Sequence, residues 1–496
     1  MGSPEPAGIP RQGVLRNSAY GFAFQLAGAL LTAITTVFLA RVLGPESFGT
    51  YSLAMAAGAL LALPADLGIS PSAQRFVAEH RSDRKAVAGV LGDAFRLKLL
   101  IAGPVALALA LAAGPIADAY DNPDLAWPLR AAALALFFES FTMLSTGTFV
   151  ALGRVTYNVR LLPFSVVALA LTLLLVLEGA GPTGALVARA IGLALTAAGG
   201  AWLLWKLVGR PHLRLSGGSR AGRRRLAAYA GPVLLVDSAF ALFTQLDVLL
   251  IGTLLGATEA GLFHAPLRIV TFLHYPGYAI ASAVAPRLAH DREDGARRAF
   301  TSGLRVTILI QAGLAAVLVP WAEPILDVLL GPEYVESADV LRAFAPFVLL
   351  SGIAPVVGLG ANYLGEAGRR LPITIAAVAV NLAIDLALLR EIGIVAGVLG
   401  STVAYLLYVP VHLRICRRHV QFPLRPLGLT LLRAVVAAAA LAGVLALFGT
   451  SDLSALDWVL GAPAAAAAYL GVLLLTRELS VAELRAAATR VVSLAR

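Results

Sequence analysis

Leu43-Gly44-Pro45-Glu46-Ser47-Phe48-Gly49-Thr50-Tyr51 has a counterpart later in the chain, Leu255-Gly256-Ala257-Thr258-Glu259-Ala260-Gly261-Leu262-Phe263. Leucine, both glycines and the closing aromatic coincide at a constant offset of 212 residues. Each stretch interrupts two long apolar runs, and each holds an acid, Glu46 or Glu259, one place before the following run opens. Glycine allows a tight turn where a Cβ would obstruct it. A carboxylate beside a helix N-terminus meets the positive end of the helix dipole. Both stretches therefore read as tight turns between consecutive helices.

The runs around them set the fold class. They are about 20 residues long, the length that crosses a bilayer as a helix. Hydrophobic residues make up 59% of the 496, charged residues only 14%, and the mean hydropathy is +0.82. Soluble domains carry about 25% charge. Disorder, a collagen-like fibre and an ordinary soluble enzyme are excluded. The chain reads as an all-α polytopic membrane protein of about fourteen helices, over 17–40, 47–70, 89–113, 127–151, 159–178, 183–206, 228–252, 260–285, 302–322, 340–364, 371–389, 394–413, 428–448 and 458–476. Pro64, Pro104, Pro163, Pro276 and Pro355 fall inside these spans, which membrane helices tolerate when neighbours re-satisfy the backbone.

The two turns lie six helices apart, an even number, so the spans after them keep the same orientation. This predicts two parallel six-helix lobes around a central cleft, with two extra helices at the C-terminal end. The expected organisation is an N-lobe over 1–208, a basic linker over 209–227, a C-lobe over 228–418, and residues 419–496 for helices 13 and 14 and an amphipathic tail.

Lysine and arginine fix the orientation. With the N-terminus in the cytoplasm, 30 of the 39 basic residues fall in cytoplasmic segments, only Arg41, Arg130, Arg342 and Arg390 fall on the opposite side, and the other five lie within spans. Such a bias places both termini inside. The first twelve residues lack the charged start and short apolar stretch of a cleavable signal, so the first span is expected to be retained. The linker carries Arg210, Arg214, Arg220, Arg223, Arg224 and Arg225 without an acid or an interleaved aromatic. It reads as a solvated linker lying on anionic headgroups. Without stacking aromatics it does not read as a nucleic-acid site, and no nucleic-acid partner is expected. Cys416 is the single cysteine, which excludes an intramolecular disulfide.

Several stretches resemble the Wzx-type polysaccharide biosynthesis and export flippases, of the multidrug/oligosaccharidyl-lipid/polysaccharide flippase superfamily. They are Phe38 to Tyr51; Asp66-Leu67-Gly68-Ile69 with Arg75-Phe76-Val77-Ala78; Gln245-Leu246-Asp247 leading to Gly256 and Gly261; and Asn381 followed by Gly393 to Gly397. The resemblance implies that polyprenyl-pyrophosphate-linked oligosaccharide moves from the inner to the outer leaflet for cell-surface polysaccharides, lipopolysaccharide among them. It implies a bacterial or archaeal plasma membrane, lipid-linked oligosaccharide and membrane lipids as partners, and polysaccharide assembly machinery as a further one.

No GxxxxGK[ST], HExxH or DxD motif is present, and neither a metal nor a cofactor is expected. A cation-coupled multidrug antiporter of the same superfamily is the main alternative. A membrane glycan polymerase or ligase is a weaker one, since the outer loops are short.

Charged residues inside spans are the candidate site, because a charge at the bilayer centre costs about 2.5–3.5 kcal/mol on insertion scales. A cationic cleft for the anionic substrate would use Arg268, with Arg96, Lys98 and Arg75 near the cytoplasmic entrance. Asp247, Asp237, Asp66, Glu139 and Gln245 are candidates for coupling or charge pairing, and Asp385 is a further acid within a span. Asp247 lies nine residues before Gly256 and Arg268 twelve after it. At 1.5 Å per residue their depths differ by about 4–5 Å, so Arg268 is expected to be held by Asp247 or Gln245 until substrate arrives. A permanent structural pair is the plain alternative. Arg189 is expected to snorkel outward, His264 and His274 to be packed residues, and Asn381 to bond between helices. In the tail, Ser480 and Glu483 form a capping box ahead of Leu484, Ala487, Val491 and Leu494, an interfacial helical stripe.

Overall fold

The computed structural model describes residues 14–209, 242–290, 293–483, 485 and 489. The basic linker from 210 on, Asp237 and all four residues of the tail stripe lie outside the described residues. The chain divides into two compact units, Met1–Gly261 and Leu262–Arg496. The expected lobe boundaries at 208 and 228 both fall inside the first unit.

The first unit holds α1 (Val14–Asp66), α2 (Ile69–Glu79), α3 (Arg84–Ala119), α4 (Ala126–Ala151), α5 (Leu162–Leu175), α6 (Gly181–Val208) and α7 (Leu242–Leu254). Next comes α8 (Ala257–Leu273), whose first turn belongs to the first unit. The second unit continues with α9 (Tyr275–His290), α10 (Glu293–Val317), α11 (Ala322–Leu330), α12 (Ala338–Tyr363), α13 (Ala367–Ile392), α14 (Val395–Val420), α15 (Leu424–Phe448) and α16 (Ala455–Leu475).

Ten stretches of described helix are long and apolar enough to cross a membrane. Two of them, Ala23–Asp66 and Thr156–Val208, each contain two of the expected spans. The seventh span is described only over α7, and the eighth is divided into α8 and α9 at His274. Among the described residues, helix covers most of each expected span, with breaks at Leu67-Gly68, Arg160-Leu161, His274 and 318–321. The division at His274 revises the place of Pro276, which is the second residue of α9 rather than an interior one. Pro163 likewise falls in the first turn of α5, where its missing N–H has no helical partner to lose. Pro64, Pro104 and Pro355 are interior.

The repeated turns have the expected backbone. Gly44 interrupts α1 at φ 68°, and Gly256 precedes α8 at φ 101°, conformations that L side chains rarely adopt. The second glycine of each turn packs reciprocally on the other turn, inside the first unit. A Cβ on Gly49 would run into the Ala257 carbonyl, and one on Gly261 into the Pro45 carbonyl. Tyr120 at the end of α3 donates to the Leu249 carbonyl at 3.3 Å, tying α7 to the same unit.

In the second unit, α10 and α12 pack on α9, α14 packs on α12 and α13, and α15 and α16 lie against α10 and each other. Tyr469 donates to the Leu309 carbonyl at 2.6 Å, and Trp321 to the Leu445 carbonyl at 3.3 Å. The expected helices 13 and 14, here α15 and α16, are thereby anchored to α10 and to Trp321 ahead of α11. The capping box is formed, with Ser480 N and Oγ 2.8 and 3.0 Å from Glu483 Oε2. Glu483 also accepts from Arg305 at 3.0 Å. Glu478 is buried and accepts from Thr430 at 2.7 Å, Arg305 at 2.9 Å and Arg433 at 2.9 Å. The tail is therefore clasped onto α10 and α15.

Candidate functional site

The first unit contains a cavity of about 630 Å³ between α1, α2, α4 and α6. Its wall is mostly apolar, but Asp66, Ser70, Gln74, Glu139, Thr146 and Arg189 open into it. Each polar group has a local cause. α1 stops at Asp66 because Leu67 and Gly68 adopt left-handed φ, and Asp66 then receives the Ser70 N–H and hydroxyl of α2 at 3.2 and 2.6 Å. The helix α2 itself was not expected from the sequence. It buries Ile69, Ser70, Ser72, Ala73 and Val77 and leaves Arg75 and Glu79 exposed.

Behind Asp66, Lys98 of α3 reaches the same carboxylate and also Ser140 at 2.8 Å. Lys98 is fully buried, whereas Asp66 keeps an edge on the cavity. Across the cavity, Arg189 of α6 pairs with Glu139 of α4 at 3.1 Å. Arg189 thus turns inward instead of snorkelling out. The pairing offsets the cost of holding either charge in an apolar helix. Gly147 leaves room for Gln74, whose amide would collide with a Cβ there.

The remaining candidates are dispersed. Arg96 is buried with Asp93 at 3.8 Å, one turn away on α3. Arg75, exposed on α2, pairs with Glu79 at 3.0 Å. Asp247 is buried on α7, and Gln245 donates to Thr244 at 3.3 Å. Arg268 is half-buried on α8, in the second unit, whereas Asp247 and Gln245 belong to the first. His264 is buried, and His274 Nε2 lies 2.7 Å from the Ser351 hydroxyl. Asn381 and Asp385 are fully buried one turn apart on α13, in space that a side chain at Gly400 would occupy. Among the described residues no three His, Cys, Asp or Glu side chains converge as metal ligands.

Sequence reasoning missed one constellation in the second unit. Arg370 of α13 donates to Asn362 at 2.8 Å and to the Tyr408 hydroxyl at 3.0 Å. Tyr408 stacks on His412 at 3.8 Å. These residues come from α12, α13 and α14, and no spacing in the sequence links them. The one available signal was a second arginine directly after Arg369, at the start of an apolar run.

Taken with this architecture, comparisons with known proteins are consistent. The chain is 21% identical over 446 residues to the "Probable low-salt glycan biosynthesis flippase Agl15" of Haloferax volcanii, covering 88% of this chain and 91% of that protein. It is 27% identical over 378 residues to the "Succinoglycan biosynthesis transport protein ExoT" of Rhizobium meliloti, covering 72% of this chain and 70% of that protein. The fold matches that of the lipid II flippase MurJ in an inward closed conformation with a TM-score of 0.73, at 14% identity, covering 94% of this chain and 99% of that one. Residues 232–387 match the MatE family. Residues 14–291, more than half of the chain, match the family described as "Polysaccharide biosynthesis protein", and the chain belongs to that family.

Proposed function

We propose that the protein is a flippase that moves lipid-linked oligosaccharide from the inner to the outer leaflet of a cell membrane, without itself catalysing a reaction. The observation that carries the reading is the polar cavity of the first unit, set in a membrane chain of the polysaccharide biosynthesis family. Apolar helices that line one cavity with Asp66, Glu139, Arg189, Gln74 and Thr146 offer a sugar both donors and acceptors away from lipid. The substrate's phosphates are anionic and call for guanidinium or ammonium groups. Arg268 remains our candidate for that contact. Arg75 would serve at the cytoplasmic surface, with Arg96 and Lys98 behind it as charges already balanced by Asp93 and Asp66. Asp247 and Asp237, with Asp66 and Glu139, are our candidates for coupling.

On this reading both termini are cytoplasmic, as the basic residues require. Reporter fusions at Gly217 and Ser337 should therefore report opposite sides. The MatE match favours a second reading, a cation-coupled antiporter. Reconstitution into liposomes separates the two. Transport of a polyprenyl-diphosphate glycan supports the flippase, and transport of cationic drugs alone overturns it in favour of the antiporter.

A further inference from the structure

Several charged side chains in the apolar helices of this protein are neutralised in place. Lys98, Arg189, Arg305, Arg342 and Arg433 each have a carboxylate within 4 Å. Arg370 differs. It is half-buried near the start of α13, and among the described residues no carboxylate pairs with it. The neighbouring acid, Glu366, is committed to Arg369 at 3.1 Å and to His419 at 2.8 Å. Both partners of Arg370 are neutral oxygens, Asn362 Oδ1 and the Tyr408 hydroxyl. The guanidinium is therefore aimed without being discharged.

Its surroundings are shaped to leave it so. Gly358 of α12 lies against the contact, and a Cβ there would come 3.1 Å from the Tyr408 hydroxyl and 3.2 Å from Arg370 Nη2. Tyr408 is fixed by its stack on His412, which is fully buried. Tyr278 of α9 lies within electrostatic reach of both Arg370 and Tyr408, and it is about half exposed, as is Tyr363. Each terminal nitrogen of an arginine carries two N–H groups, so one on each remains after the bonds to Asn362 and Tyr408. Two parallel donors on a planar cation match two oxygens of a phosphate. The exposed Tyr278 within its reach offers a flat apolar face with a hydroxyl rim.

We infer that Arg370, oriented by Asn362 and Tyr408, binds a phosphate group of a lipid-linked phosphate or diphosphate on the second unit. The inference rests on the flippase reading and names a phosphate contact that the sequence did not single out. The positive-inside rule puts this end of α13 at the cytoplasmic surface, where such a substrate is made available. Asn362 and Tyr408 are positioning residues, and Arg370 is the binding group.

The test uses the full-length protein in nanodiscs, with binding read by tryptophan fluorescence. The probes are undecaprenyl diphosphate, phosphatidylglycerol and inorganic pyrophosphate. Arg370→Ala should weaken undecaprenyl diphosphate binding by about tenfold or more, as loss of a charge-assisted contact does, with an unchanged melting temperature. Arg370→Lys should recover part of it, and Tyr408→Phe should weaken binding by about threefold to tenfold through lost orientation. Arg297→Ala, which removes an exposed pair with Asp294, serves as the control and should leave binding unchanged. If the wild type binds undecaprenyl diphosphate and Arg370→Ala binds it equally, the assignment of Arg370 is overturned while the flippase reading stands. If the wild type binds no undecaprenyl diphosphate, the flippase reading fails and the inference with it. Equal competition by phosphatidylglycerol would show a general phospholipid site, and equal competition by pyrophosphate a site for the free anion. Either result overturns the substrate assignment.

Discussion

Lys98 in the first unit and Arg370 in the second are both cations among apolar helices, and they are kept in opposite ways. Lys98 is sealed from solvent, its charge balanced by Asp66 and its remaining donors partly used by Ser140. Arg370 is half open and bonded to neutral oxygens. A lysine in the first situation is spent on holding α1, α3 and α4 together. An arginine in the second keeps its charge for something that arrives. A cation in a span therefore becomes informative about ligand binding only when its counter-charge is known.

Breaking the sealed pair should have the largest effect. Removing one partner of a buried ion pair costs about 3–5 kcal/mol. Asp66→Asn should cost more than Lys98→Met, because it leaves the fully buried charge alone, whereas a solitary Asp66 still touches the cavity. The double variant should recover most of the loss. Thermal unfolding of the purified protein in detergent measures all three, and equal losses in the single variants would contradict this asymmetry.

Next in size is the contact between the repeated turns. Gly49→Val forces a side chain onto the Ala257 carbonyl and should cost about 1–3 kcal/mol, as overpacking does. Val at the uncrowded Gly28 provides the comparison in the same melt.

The clasp on the tail should respond to acid. Burial alone would raise the Glu478 carboxyl, but hydrogen bonds from Thr430, Arg305 and Arg433 hold it below its ordinary value of 4.5. Glu483 is lowered by Arg305 and Ser480. A carboxyl depressed in the folded state contributes stability above its unfolded pKa and loses it as the pH falls through the folded one. The melting temperature should therefore be level from pH 7 to pH 5 and fall below about pH 4.5. Glu478→Gln should lower it at pH 7 and flatten the acid limb. An unchanged acid limb in Glu478→Gln would remove the clasp from the account.

The smallest structural effect belongs to Arg370→Ala, within about 1 kcal/mol, since only two hydrogen bonds between an exposed edge and neutral oxygens are lost. A loss as large as that for Asp66→Asn would make Arg370 a structural cation like Lys98 and abolish the contrast.

Most of the spans and both glycine turns were legible in the sequence, because each is written in local signals: length of apolar run and glycine at a fixed place. The partners of the charges were not. Lys98 meets Asp66 from 32 residues away, and Glu139 meets Arg189 from 50. Such pairings follow from which helices become neighbours, which hydropathy does not encode. The helix α2 escaped because eleven residues with a polar side carry no spanning signal. The division at His274 escaped because α8 and α9 are continuous in hydrophobicity. Arg370 was placed in a loop by its charge, although its aromatic frame is drawn from residues between 278 and 412.

The reciprocal seat of Gly49 on Ala257 and of Gly261 on Pro45 has a consequence in time. The first turn is synthesised some 212 residues before the second. At about 5–20 residues per second of synthesis, the surface at Pro45 and Gly49 waits roughly 10–40 seconds for its mate. Throughout that interval the first helical hairpin sits in the membrane with its glycine notch uncovered by the second turn. The first unit can close only after α7 has been threaded and turned.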